Sequence, residues 1–320
     1  MPKIMFRPAP TPPPFVPPTP VAGALTFTAR EANSSVAFNI EGSVMGVSLS
    51  YSIDNGQTWN LYTFGQSVNL AAVGDNVMFK GDNDSFSVNE ENFIQAAMTG
   101  KIAASGSLAY VLDSNGGIKA LTPYCFIYMF SDCTSLVHAP ALPATSLADG
   151  CYQSMFNGCS SLVQAPALPA TILADYCYES MFDGCSSLVQ APILHAASLA
   201  KHCYSFMFNG CSSLEQAPAL PATSLFDYCY YNMFRACSSM VQAPSLPANS
   251  LVDSCYNNMF NGCTSLKYVQ CNATDISANG CLTFWLLSVS DTGTFKKNSS
   301  MNDWPSGASG IPDGWTVENI

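Results

Sequence analysis

From residue 125 onward the apolar positions of the chain recur every 26 residues. Six copies begin at Cys125, Cys151, Cys177, Cys203, Cys229 and Cys255, and Cys281 keeps the phase. Superimposing the copies gives a column of methionine (Met129, Met155, Met181, Met207, Met233, Met259), each followed by Phe. A further column is Leu136, Leu162, Leu188, Leu214, Met240 and Leu266. A fixed period of this size predicts a solenoid, in which no copy covers its own apolar face and each is covered by its neighbours. Each buried Met, Phe or Leu contributes about 1.5–3 kcal/mol, so three per copy offset the ordering cost only when copies stack. Within a copy, the stretch from Cys to Cys, as in CYESMFDGC, has apolar residues at helical spacing and closes on Asn-Gly or Asp-Gly. It predicts one short helical turn that is left through a left-handed residue. The following SSLVQAPAL predicts a short extended segment, and PATSLAD returns the chain.

Ahead of the repeats the period changes to two. LTFTA, SSVAFNIE, VSLSYSI, TWNLYTF, SVNLAA and NVMFKG alternate between Gly, Asn and Asp punctuation. This predicts a small Ig-like β-sandwich over 23–88. Residues 89–124 are assigned to an N-terminal cap on the repeats: Ser87-x-x-Glu90 reads as a capping box before a short helix over Phe93 to Met98, followed by a strand-like GKIAASGSLAYVL. Residues 125–280 form the solenoid and 281–320 its C-terminal cap. The fold class expected is therefore α+β, mainly β. Residues 1–22 hold eight prolines between 8 and 20, which predicts an extended polyproline arm. That arm is either a semi-rigid spacer or an anchor whose Phe6, Phe15 and Val16 enter a partner's groove.

Charge narrows the partners. The chain has 22 acidic and 11 basic residues, a formal net charge of −11. The repeat block holds only Lys201, Arg235 and Lys267 against nine carboxylates. Nucleic acid and anionic lipid need a basic face, so neither is expected as a partner. No apolar run is long enough for a membrane span, and MPKIMFRPAPTPPPFVPPTP has no apolar core of a secretion signal. The expectation is synthesis in the cytoplasm without membrane insertion.

Fourteen cysteines would ordinarily mark a disulfide framework, yet twelve fall into two columns of the repeat. Neighbours in a column stand about 4.7–4.9 Å apart with Cβ vectors side by side, a poor disulfide geometry. Reduced, buried thiols are the favoured reading, and bridges between columns stay open. There is no C-x-x-C, and His138, His195 and His202 occupy different repeat positions, so no metal site or cofactor is expected. His202 beside Cys203 is the single thiol–base adjacency, read as a solvent-facing counterpart of Asp175-Tyr176. No P-loop, nucleophile elbow or zincin motif appears, and the expectation is a non-enzyme.

Two resemblances follow from particular residues. Ser52-x-Asp54-x-Gly56-x-Thr58-Trp59 resembles the Asp-box hairpin of sialidases and other carbohydrate-active proteins. A sialidase also needs an arginine cluster, and Arg7, Arg30 and Arg235 are the only arginines, so the hairpin is read as structural. The phrases MFNGCSSLVQAP and LPATSLADYCY resemble BspA-like leucine-rich repeats of bacterial surface proteins, and Thr294 to Thr316 resembles the cap of that family. The resemblance implies a leucine-rich-repeat fold and an adhesive role.

In such a repeat, residues between the core positions of the short strand face outward. Here these include Gln164 and Pro166, Gln190 and Pro192, Gln216 and Pro218, and Gln242 and Pro244. The column offers uncharged donors and acceptors beside apolar surface, suited to host-surface glycan or protein, or else the glutamines bond one another. The functions expected are a phage virion fibre or receptor-binding component held by the arm in a virion assembly, or a bacterial cell-surface adhesin. Oligomeric state, homo-oligomer included, stays open.

Overall fold

The computed structural model describes residues 23–320. The arm read as spacer or anchor, with Phe6, Phe15 and Val16, lies outside the described residues.

The first region contains β1 (Leu25–Ala29), β2 (Ser34–Glu41), β3 (Ser50–Ser52), β4 (Asn60–Leu61), β5 (Val68–Leu70), β6 (Asn76–Lys80), β7 (Phe93–Thr99) and β8 (Ile102–Ser105). One sheet has the order β4-β3-β6-β1-β8 and continues into β9 (Leu136–His138) of the first repeat; the other is β5-β2-β7. The sheets meet on Phe27, Phe38 and Phe79, whose ring centroids lie 5.1–5.9 Å apart, edge to face. Asn55 and Gly56 take φ of 60° and 82°, the left-handed values a two-residue hairpin turn requires.

The helix expected over Phe93 to Met98 is strand β7, paired antiparallel with β2. Ile94 and Ala96 alternate inward, and the Ser87 hydroxyl accepts the Ile94 amide at 3.0 Å instead of capping a helix. Period-two burial against a waiting strand edge outweighs a local capping signal. Residues 93–105 therefore share sheets with 25–80. They also meet the first repeat: the Ala96 amide donates to Met129 O at 2.7 Å and Gln95 Nε2 to Ser131 O at 2.8 Å.

Each 26-residue copy makes one coil, numbered 1 to 6 from Cys125 to Cys255. Met155, Phe156, Leu162 and their equivalents are fully buried, as the sequence pattern requires, and so are both cysteine columns and the Tyr152, Tyr178, Tyr204, Tyr230, Tyr256 column. Successive phenylalanines stack with centroids 5.4–5.7 Å apart and nearly parallel rings from Phe130 to Phe260.

The Cys-to-Cys stretch is not the helical turn expected. Alternate amides bond locally and across: Gln153 N donates to Gly150 O and Met155 N to Tyr152 O, whereas Ser154 N donates to Glu179 O and Phe156 N to Met181 O of the next coil. A left-handed residue recurs every fourth position, Gly150, Ser154 and Gly158 at φ 57°, 52° and 72°. An α-helix spends its amides on carbonyls four residues back. This ribbon of turns gives half of them to the neighbouring coil, so the same bonds that close each turn tie the stack together. Elsewhere the coils touch through single parallel bridges, such as His138 to Gln164 and Gln190 to Gln216.

The far end continues into a parallel sheet of β10 (Tyr268–Cys271), β11 (Thr294–Lys297) and β12 (Thr316–Asn319). Trp285, in the methionine column, is fully buried, donates to Gly310 O at 2.8 Å, and stacks on Tyr256 and Trp304. The described residues are mainly β, with one four-residue helix, α1 (Ala109–Leu112).

Candidate recognition face

Coils 2 to 5 each leave the buried Leu162-type residue and emerge in two exposed positions ahead of a proline. Gln164, Gln190, Gln216 and Gln242 are all exposed, with Val163, Val189, Glu215 and Val241 beside them. His138 and Tyr268 hold the same position in the first and last coils, so the column spans the stack. The prolines differ from the outward placement read from sequence. Pro166 and Pro218 are buried, and Pro192 and Pro244 are half-buried. A proline ring has no amide to satisfy, so turning it against the adjoining coil leaves no orphan donor.

The backbones of Gln190 and Gln216 form a parallel bridge, but among the described residues no glutamine side chain of this column hydrogen-bonds the next. The amide groups point to solvent with donors and acceptors free. Two shallow grooves open on this face. One, of about 610 Å³, is lined by Gln216, Pro218, Pro221, Gln242, Pro244 and Pro247 among others. The other, of about 850 Å³, runs from Ser105 and Gly106 past His138 and Pro140 to Gln164 and Pro166. Coil 3 separates them, where exposed Ile193 and His195 replace the usual Ala and Pro. The groove linings carry one carboxylate, Glu215, and one imidazole, His138, whose pKa is pushed down by burial and then by Arg30. The arrangement can bind a neutral, extended ligand through amide hydrogen bonds and apolar contact.

The ribbon side carries a polar cluster that the column reading passed over. Gln153 Nε2 donates to Glu179 Oε2 at 2.9 Å and to Glu90 Oε1 at 3.3 Å, joining the first region to coils 2 and 3. Burial, then the Glu90 charge, raises the Glu179 pKa to about 7, against the Gln153 hydrogen bond. His202 Nδ1 lies 3.8 Å from Glu179. Its signal in the sequence is that Glu179 is the only charged residue among Gln153, Ser205, Tyr231 and Asn257 at that repeat position. His202 is stacked between Tyr176 and Tyr228 at 4.8 and 4.6 Å and is not solvent-facing.

All fourteen cysteines are free and buried. From Cys159 to Cys263 the second column donates Sγ–H to a phenylalanine carbonyl of the preceding coil, Cys185 to Phe156 O at 3.1 Å for example, and Cys133 donates to Ala96 O of β7. Burial pushes the Cys203 thiol up to about 12, so it is protonated at neutral pH and cannot serve as a nucleophile beside His202. In the Asp-box-like hairpin, Asp54 accepts the Thr58 amide and hydroxyl and the Ser52 hydroxyl, which hold its pKa down to about 2. Its carboxylate is spent on closing the turn. Among the described residues no group of three or more His, Cys, Asp or Glu is placed to hold a metal ion, and no helix is long and apolar enough to cross a membrane. Comparison with protein-family models, curated proteins and solved structures finds no match.

Proposed function

We propose that the chain is a non-catalytic structural and binding protein: an Ig-like β-sandwich and a BspA-like leucine-rich-repeat solenoid, carried by a phage virion as a fibre or receptor-binding component. The arm holds it in the particle, and the glutamine face meets host-cell glycan or protein. The observation that supports this most is the exposed glutamine column, its side chains unpaired, running beside two grooves whose linings carry a single carboxylate. A repeated uncharged amide recognises a repeated or extended neutral surface, and a rigid stack holds those amides at fixed spacing. The buried, protonated thiols offer no nucleophile to an enzymatic alternative.

A second reading is a bacterial cell-surface adhesin, favoured by the phrases MFNGCSSLVQAP and LPATSLADYCY. Quantitative mass spectrometry of purified particles beside a secreted and a cell-envelope fraction separates the two. Enrichment in particles, together with attachment of the purified full-length protein to host cells, supports the virion reading. Recovery only in the envelope fraction overturns it in favour of the adhesin, and absence of attachment overturns both.

A further inference from the structure

The first region has a concave surface of its own, apart from the glutamine face. It lies between β5 of one sheet and β3 of the other and encloses about 570 Å³, a size that suits a small ligand. β5 is the outermost strand of its sheet. The Asn33 amide donates to Ala71 O at 3.1 Å, and the register with β2 continues through Leu70, Asn69 and Val68. By antiparallel alternation Asn69 exchanges bonds with Ser35, so the amides and carbonyls of Val68 and Leu70 point away from β2, on the cleft side. The side chains of Val68 and Leu70 are buried in the core, which leaves only their backbone to meet a ligand.

The other walls include Tyr51, Asn55, Gln66, Asp75 and Asn76. Tyr51 is seated on Tyr62 and Phe79, with ring centroids 6.0 and 6.5 Å apart, and among the described residues its hydroxyl has no partner. Gln66 and Asn69 are exposed, and their side-chain amides are likewise unpaired. Asp75 spends Oδ2 on the Ala72 amide at 2.9 Å and keeps Oδ1 open. Asn76 Nδ2 donates to Asn55 Oδ1 at 3.1 Å, while Asn76 Oδ1 is buried without a donor. A buried acceptor in that state is costly, and a ligand hydroxyl that reaches it removes the cost.

We propose that this cleft is a second binding site, for a short neutral saccharide. Each sugar hydroxyl both donates and accepts, and the lining offers both kinds of partner: strand-edge backbone, carboxamides, and the Tyr51 and Ser67 hydroxyls. The Asp75 carboxylate can accept from two adjacent hydroxyls, and the Tyr51 ring gives apolar surface to sugar C–H groups. The lining holds no Lys, Arg or His, so nothing there neutralises a phosphate, sulfate or acidic sugar. A peptide added as a strand is disfavoured because β5 has three residues, of which two present backbone outward. β6 and β1 separate Tyr51 on β3 from β8, whose Ala104 and Ser105 wall the larger groove of the glutamine face. The two sites therefore bind independently.

The test titrates the full chain with maltotriose, cellotriose, mannotriose, xylotriose and triacetylchitotriose, read by saturation-transfer NMR and calorimetry. Binding of at least one is expected. Gln66→Ala with Asp75→Asn should weaken it about tenfold or more, since a lost hydrogen bond to a charged group has that effect. Melting should not change, because both positions are exposed and Asn keeps an oxygen for the Ala72 amide. Replacing Gln164, Gln190, Gln216 and Gln242 by Ser should leave this binding intact. Failure of every sugar to bind, affinity unchanged in the double variant, or binding lost with the four glutamines would each overturn the proposal. So would tighter binding of an extended Val-Thr peptide that the double variant also weakens, which would assign the edge to strand addition.

Discussion

The two regions bury aromatic rings in opposite ways. In the first, Phe27, Phe38, Tyr62 and Phe79 meet edge to face, each in a setting found once in the molecule. In the coils, Phe156, Phe182 and Phe208 lie in one near-parallel pile, each between two copies of itself. Edge-to-face contact satisfies the ring quadrupoles pair by pair, whereas the pile is imposed by register, because every residue 26 positions on arrives at the same place. The first region is thus a set of individual solutions, and the stack is one solution repeated, with stability passed between neighbours.

The largest test of that contrast is truncation of rings. Phe156→Ala, Phe182→Ala and Phe208→Ala should each cost about 3–5 kcal/mol and agree closely, since their surroundings repeat. Phe27→Ala, Phe38→Ala and Phe79→Ala should cost as much on average but scatter and couple strongly in double-mutant cycles. Urea unfolding measures both sets, and coil values that scatter as widely as the others would erase the distinction.

The next effect is where the regions touch. Glu179, mostly buried and facing Glu90, has its pKa raised from 4.5 to about 7, so its stabilising protonated state is full below about 4.5 and lost as pH rises through 7. That difference corresponds to about 3 kcal/mol lost between about pH 4.5 and 7. His202 works in the opposite sense, since burial lowers its pKa and protonation at acid pH costs stability. Glu179→Gln should therefore remove the loss on going from about pH 4.5 to 7 and leave the destabilisation at acid pH that His202 causes. A melting profile whose fall between about pH 4.5 and 7 is the same in the variant would show that Glu179 is not its source.

Legibility followed the same divide. The Met, Phe and Leu columns were readable because period 26 repeats them six times, and the hairpin at Asn55-Gly56 because only left-handed residues fit it. Strand β7 was misread because Ser87-x-x-Glu90 is a local signal, while the pairing of Phe93–Thr99 with β2 is a contact 50 and more residues distant. The ribbon of turns was misread for a related reason. Helical spacing of Cys, Met and Phe and alternate cross-coil pairing place the same side chains inward, and only the neighbouring coil decides between them. The glutamines were correctly placed outside, whereas proline, read as part of that surface, turned inward with the backbone.

A smaller effect tests the left-handed positions of the ribbon. Gly184 and Gly210 occupy φ near 70°, and coil 5 has Ala236 there at φ 60°. An L-residue in that region costs about 1–2 kcal/mol, so Ala236→Gly should raise stability by about 1 kcal/mol, and Gly184→Ala should lower it equally. Unequal and same-signed changes would mean that the coils are not equivalent.

The measurement that bears most directly on function replaces Gln164, Gln190, Gln216 and Gln242 together by Ser in the full-length protein and compares melting and attachment to host cells. All four side chains are exposed and unpaired, so the account predicts unchanged melting and lost attachment. Unchanged attachment, or melting lowered while attachment persists, would contradict it and leave the column as internal support.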